Sequence, residues 1–468
     1  MVDLVIKNGR VVAPSGIFNG GVAVEGKKII KVCGDESLPD AKKTIDAKGN
    51  YIIPGFIDPH VHLGNDESGV PFTRIRDDFD TETKGAAYGG VTTCITYWCQ
   101  LISYKEKIQQ VIDWGNENSH INFGLHLAIQ TDQHIDEIED YIKLGVTSFK
   151  HFYNCYKGKT GEQLGHSHAD PDMLYRSCEK LQKYGEPGTA CIHCEEQDVI
   201  YYLEEKIMAE GKNTLLNHTE SRPEFTERMQ MLQSMEIAKA TGAPLYIVHC
   251  SIGSGMEDTQ KAREDGFNIY TETCPHYLTH TADMEEQIGN WGKVNTPLRM
   301  KEDVDALWRG IRNGGITNVG TDHCPYSRET KQLRGEQFNN IWNALPGICN
   351  GMEHWLPVMM TYGVNAGRIS MEDMVNVCST NNAKVFGMYP DKGILAEGSD
   401  ADIVIIDPHK KSTIDENFYH TRSDWSIYYG WDVEGMATHT IVNGQVVLDD
   451  SEFVGELGTG EYIDRQKK

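Results

Sequence analysis

VTTCITYWCQLISYKEKIQQVIDWGNENSHINFGLHLAI, residues 91–129, runs from one short apolar stretch through a helical pattern into a second apolar stretch. VTTCITYW at 91–98 and INFGLHLAI at 121–129 have the length and the β-branched and aromatic content of strands. Residues 102–118 between them mix charged and apolar side chains as an amphipathic helix does. A strand, a helix and a strand in succession predict two parallel strands joined by a crossover.

The same rhythm extends in both directions. Six more strand-like runs are IIPGFIDPH (52–60), VTSFKHF (146–152), TACIHCE (189–195), LYIVHCS (245–251), NIYTETCPHYL (268–278) and TNVGTDHC (317–324). Helical patterns such as TERMQMLQSMEIAKATG (226–242) separate them. Eight such units predict an α/β fold, a (β/α)8 barrel with long loops, over residues 55–385. Outside it the pattern changes. DLVIKNGRVV, GVAVEGKKIIKV and TIDAKGNYII near the start, and ILAEGSDADIVIID and THTIVNGQVVL near the end, alternate in the short period of antiparallel β structure. A small β-sandwich-like domain assembled from residues 1–54 and 386–468 is expected, with the barrel inserted between its halves.

Composition narrows the class of function. The chain has 44 Lys and Arg against 69 Asp and Glu, a net charge of −25. Such a surface repels nucleic acid and anionic membranes and tolerates neutral substrates or cations. No apolar window of about 18 residues is present, so no membrane span is expected. The opening MVDLVIKNGRVV reads as a strand rather than a signal peptide, and a cytoplasmic protein is expected. Twelve cysteines show no disulfide spacing. CIHC, Cys191 to Cys194, has no second CxxC to complete a zinc ribbon, and its cysteines read as small buried hydrophobes.

The strand ends carry the chemistry. The first run ends at His60 with His62 two residues on, the fourth carries Lys150, the fifth His193, the sixth His249 and the eighth Asp322. In a (β/α)8 barrel these ends converge on one mouth. His60 and His62, two apart, face the same side and are able to share one ion. Four imidazoles and a carboxylate suit one or two divalent cations, and two ions at about 3.5–4 Å need a bridging anion. A lysine ammonium is repelled there, whereas a lysine carboxylated by CO2 supplies two oxygens and one negative charge. The chemistry therefore asks Lys150 to be N6-carboxylysine.

At this point the chain resembles the amidohydrolase superfamily, specifically its dihydropyrimidinase and hydantoinase group. The resemblance is carried by GFIDPHVHL, GGVTT, SFKHF, IHCEE, YIVHCS, ETCPHYL, VNTPLR and GTDHCPY, and by NAKVFGMYPDKGILAEGSDADIVIIDP and EFVGELGTGEYI towards the end. It implies a binuclear centre of two Zn2+ ions, other first-row metals being alternatives, on His60, His62, Lys150, His193, His249 and Asp322. It implies hydrolysis of a small neutral cyclic amide, a dihydropyrimidine or a hydantoin, to an N-carbamoyl amino acid, as in pyrimidine catabolism. Asp322 then takes the proton of the attacking hydroxide and returns it to the leaving nitrogen. A homo-oligomer, a tetramer by resemblance, is implied as well.

Departures from the family bear on the substrate. The family motif places four residues between the lysine and a tyrosine that helps hold the oxyanion. Here five residues separate Lys150 from Tyr156, so position-by-position counting gives Cys155, and a one-residue insertion restores Tyr156. Tyr156 is the expected donor, with Tyr153 or no equivalent tyrosine as the alternatives. Asn295, where the family has serine, and Asn343, in NIWNALPG, are expected to bind the ring amides. Gly64 replaces the arginine of the dihydroorotases, and the insertion 158–172 brings His166 and His168, read as an exposed loop. An allantoinase-like activity on another ureide ring, or a non-catalytic scaffold of the dihydropyrimidinase-related kind, are the competing readings.

Overall fold

The computed structural model describes residues 1–64, 74–155, 167–332 and 340–466. Five strands come first: β1 (Val2–Ala13), β2 (Gly16–Glu25), β3 (Lys28–Cys33), β4 (Ala41–Asp46) and β5 (Tyr51–Pro54). Eight follow that are parallel to one another: β6 (Phe56–Val61), β7 (Val91–Trp98), β8 (Asn122–Ala128), β9 (Ser148–Tyr153), β10 (Thr189–Cys194), β11 (Leu245–Ile247), β12 (Ile269–Thr273) and β13 (Asn318–Val319). The last four are β14 (Ile403–Thr413), β15 (Asp432–Val442), β16 (Gln445–Asp449) and β17 (Glu452–Phe453).

β6 to β13 lie side by side in chain order. A bridge between Val61 and His323, with the His62 N–H on the His323 carbonyl at 2.8 Å, joins the first member to the segment after the last and brings the sheet round to a barrel. Alternation divides each strand between two environments. Ile95 and Tyr97 of β7 share an inner cluster with Cys191, Tyr246 and Phe386, while Cys94 and Trp98 belong to the outer core packed with the helices. Cys191 and Cys194, three apart on β10, fall into different clusters, and both are free thiols.

The run expected as one strand at 52–60 is two. β5 pairs with β1 and β14, β6 opens the barrel, and the chain turns at Gly55, where a Cβ would sit 2.1 Å from the Thr92 hydroxyl. Strands from both chain ends share a nine-stranded mixed sheet in the order β17-β16-β15-β14-β5-β1-β2-β3, with β4 branching from β1. Its core includes Leu4, Ile6, Val22, Ile45, Ile403 and Ile441. Two later stretches leave this sheet for the barrel. Arg422 reaches Asp78 beside the mouth, and Arg465 enters the barrel floor, donating to Ser148 Oγ at 2.7 Å.

Two barrel strands stop earlier than the apolar runs suggest. β11 ends at Ile247 and β13 at Val319, before His249 and Asp322. Both residues have left-handed backbones, φ 39° and 53°, which a ladder does not accommodate and which Asp and His adopt more readily than branched residues. NIYTETCPHYL likewise divides at Thr273, because Pro275 starts a short helix, Pro275–Thr279.

Candidate metal centre

Six side chains singled out in the sequence meet at the C-terminal ends of the barrel strands. His60 on β6 and His62 just after it project the same way, and their Nε2 atoms lie 3.3 Å apart. Asp322 Oδ1 is 3.1 Å from His60 Nε2 and 3.2 Å from His62 Nε2. One proton satisfies one such approach, not three at once. Ligands about 2.0–2.1 Å from a tetrahedral cation stand about 3.3 Å from each other. The three-atom cluster therefore has the dimensions of a metal site.

A second pair faces the same space. His193 Nδ1 and His249 Nε2 are 2.8 Å apart, and the His60 and His249 rings have centroids 5.4 Å apart. His249 Nδ1 is buried with no hydrogen-bond partner among the described residues. Lys150, 1% exposed, enters from β9 with its Nζ 4.6 Å from the Tyr97 ring centroid. The same Tyr97 ring lies 4.7 Å from His60 and 5.5 Å from His62. The Lys150 charge acts on all four imidazoles and disfavours the protonated form of each.

Burial and charge set the protonation of the cluster. Burial draws His62 down to about 4 and, with the His193 charge, holds His249 well below the ordinary imidazole range. Burial also lowers His193, against the opposing pull of Glu195. His60 is the exception: burial lowers it, but Glu272 and Asp322 together outweigh burial and raise it. Burial would raise Asp322, yet His60 and His62 hold its carboxyl far below the usual range. His62, His193 and His249 are thereby kept neutral beside an ionised Asp322, and a bound divalent cation would displace the proton of His60 to complete its donor set.

A further layer orients these groups, and the sequence reading assigned it no role. Glu272 on β12 accepts from His60 Nδ1 at 2.6 Å, from the His249 N–H at 2.9 Å and from Tyr246 Oη at 2.8 Å. Glu195 accepts from His193 Nε2 at 2.8 Å and from Arg222 Nε at 3.1 Å, which turns Nδ1 of His193 towards His249. Asp58, raised to about 7 by burial, binds the N–H groups of His60 and Thr321 and the Thr321 hydroxyl. Strand alternation held the signal for two of these. Glu195 is two from His193, and Asp58 is two from His60.

The remaining expected residues are distributed as follows. Asn295 is half-buried beyond β12, and its Oδ1 is buried without a hydrogen-bond partner among the described residues. Next to it, Thr296 Oγ1 donates to the His249 carbonyl at 3.2 Å. Asn343 ends the short turn Ile341–Asn343, half-buried. Tyr156 and His166 lie outside the described residues. Tyr153, the alternative to Tyr156, packs into the outer core, and Cys155 is buried with Cys99, Ala128 and Phe152. His168 is 3.3 Å from Asp170 and joins no metal-ligating group of the described residues.

Comparison with known proteins agrees with this geometry. The profile of the Amidohydrolase family matches residues 51–447. A D-hydantoinase of Ralstonia pickettii is 36% identical over 476 residues, covering 100% of this chain and 99% of its own. The crystal structure of dihydropyrimidinase from Brevibacillus agri superposes with a TM-score of 0.89 at 31% identity, covering 99% of this chain and 98% of that one. An L-hydantoinase (dihydropyrimidinase) from Arthrobacter aurescens superposes with a TM-score of 0.89 at 28% identity, 99% of each chain being covered.

Proposed function

We propose, because the chain belongs to the amidohydrolase family, that it is a metal-dependent hydrolase opening the ring of dihydropyrimidines or hydantoins to N-carbamoyl amino acids. The observation that carries this reading is the convergence of His60, His62 and Asp322 on one point, faced by His193 and His249. On this reading His60, His62, His193, His249 and Asp322, with Lys150 as N6-carboxylysine, would hold two Zn2+ ions. Its burial beside every imidazole of the site supports that role. The ions, when bound, polarise the amide carbonyl and activate water at neutral pH.

The chain's own residues do the rest. Both imidazole contacts of Asp322 fall on Oδ1, which leaves Oδ2 to take a proton and return it to the leaving amide nitrogen. Glu272 and Glu195 fix the faces that His60 and His193 present. Asn295 and Asn343 bind the ring amides, and Tyr156 donates to the oxyanion. A net charge of −25 accords with a neutral ring as substrate. The twelve free thiols accord with a cytoplasmic setting, and a homotetramer follows from the family alone.

Metal analysis coupled to a ring-opening assay tests this reading. About two zinc ions per chain and formation of a carboxylate product from a cyclic amide are expected. Near-zero zinc, with no hydrolysis after reloading, would favour the scaffold reading. Lys150→Ala should lose metal, and full metal retention would remove Lys150 from the metal site.

A further inference from the structure

We propose that Lys331 is a positioning residue for substrate, a buried amine that ties the segment carrying Asn295 to the segment carrying Asn343. The inference rests on the ring-binding roles proposed for those two asparagines. Lys331 follows Asp322 by nine residues and is fully buried, 0% exposed. Its Nζ donates to the Lys293 carbonyl at 2.8 Å and to the Gly347 carbonyl at 2.8 Å. The face of Trp425 covers it, with the ring centroid 5.1 Å away.

The cross-link is reinforced on both sides. The Gly347 N–H donates back to the Lys293 carbonyl at 3.1 Å, and the Leu345 N–H donates to the Lys331 carbonyl at 3.2 Å. Lys293 Nζ reaches the Trp342 carbonyl at 3.3 Å, next to Asn343. Beyond Lys293, side chains hold the carbonyls flanking Asn295. His218 Nε2 donates to the Val294 carbonyl at 3.1 Å, and Tyr277 Oη donates to the Thr296 carbonyl at 2.6 Å. With its neighbours held at Lys293, Val294 and Thr296, Asn295 keeps a buried Oδ1 that no described residue satisfies. An acceptor held this way suits the N–H of a cyclic amide.

Burying a lysine ammonium without a carboxylate partner is unfavourable. A methionine would fill the same space without that penalty, so what the amine adds is two directed donors. Burial draws Lys331 down to about 7, so near neutral pH the amine is partly uncharged, and either form has N–H groups for the two carbonyls. Among the described residues no carboxylate pairs with it. The arrangement is a strut between loops, not an ion pair.

The test uses full-length, zinc-loaded Lys331→Met and Lys331→Gln beside the wild type and Asn295→Ala, read by hydrogen exchange and by steady-state kinetics on a ring the wild type opens. In Lys331→Met, exchange should rise over residues 293–297 and 345–349 with the barrel strands unaffected. KM should rise about tenfold with kcat and metal content within about threefold of wild type. Lys331→Gln, which keeps two N–H donors on a neutral group, should fall between. Unchanged exchange in those segments would overturn the proposal. So would raised exchange with an unchanged KM, or a rise in exchange spread over the whole barrel. If Asn295→Ala leaves KM unchanged while Lys331→Met raises it, the asparagine assignment fails and the strut stands. If the wild type opens no ring, the proposed function fails, and exchange alone decides whether Lys331 ties the two segments.

Discussion

Glu272 shows how one carboxylate arranges a site from behind. It holds the His60 ring, the His249 backbone and Tyr246 at once, so the imidazoles reach the centre already oriented. Glu272→Gln should weaken zinc affinity by about 10- to 100-fold in competition with a chelator, and an unchanged affinity would remove it from the site. Tyr156→Phe should lower kcat on the order of 10²-fold if its hydroxyl meets the oxyanion, and near-wild-type turnover would contradict that role. The histidines, Lys150 and Asp322 were legible in the sequence because five of the eight strand-like runs carried ligand-type residues at or near their ends. Lys331 was not, since its burial depends on Lys293 and Gly347, distant in sequence and brought to it only by the fold.

At the scale of elements, the strand–helix rhythm was legible because each strand buries both faces and so reads as a continuous apolar run. The ends of strands were not. Hydropathy continues through His249 and towards Asp322, whereas the ladder stops where the backbone turns left-handed. The join between the two sheets was hidden for a similar reason, since IIPGFIDPH is apolar on both sides of Gly55 and only the packing there divides it. Gly55→Ala should destabilise the fold by about 1–3 kcal/mol, because its Cβ meets the Thr92 side chain. Denaturant unfolding measures it, and a neutral substitution would mean that β6 and β7 shift apart freely.

For the whole molecule, both chain ends were recognisable as one β assembly, but not the return of Arg422 and Arg465 to the barrel, which periodicity does not encode. Buried histidines away from the metal centre give the molecule an acid limit. Burial holds His280 at about 4 and His354 at about 3, against about 6.5 in the unfolded chain. Between those values the unfolded chain binds protons that the folded chain refuses. Their contribution is therefore fully present above about pH 6.5 and is lost as pH falls towards 4 and then 3. The thermal midpoint of metal-free protein should drop from pH 7 to pH 5, and less so in His280→Gln/His354→Gln. An equal drop in that double variant would place the acid sensitivity elsewhere.

The central claim, a metal centre built to open a cyclic amide, is tested most directly by turnover on a panel. Zinc-loaded protein would be given dihydrouracil, dihydrothymine, hydantoin, a 5-aryl hydantoin and allantoin, and the products identified by mass. The account predicts N-carbamoyl acids from the dihydropyrimidines or the hydantoins. No ring opened by protein carrying two metal ions would contradict it.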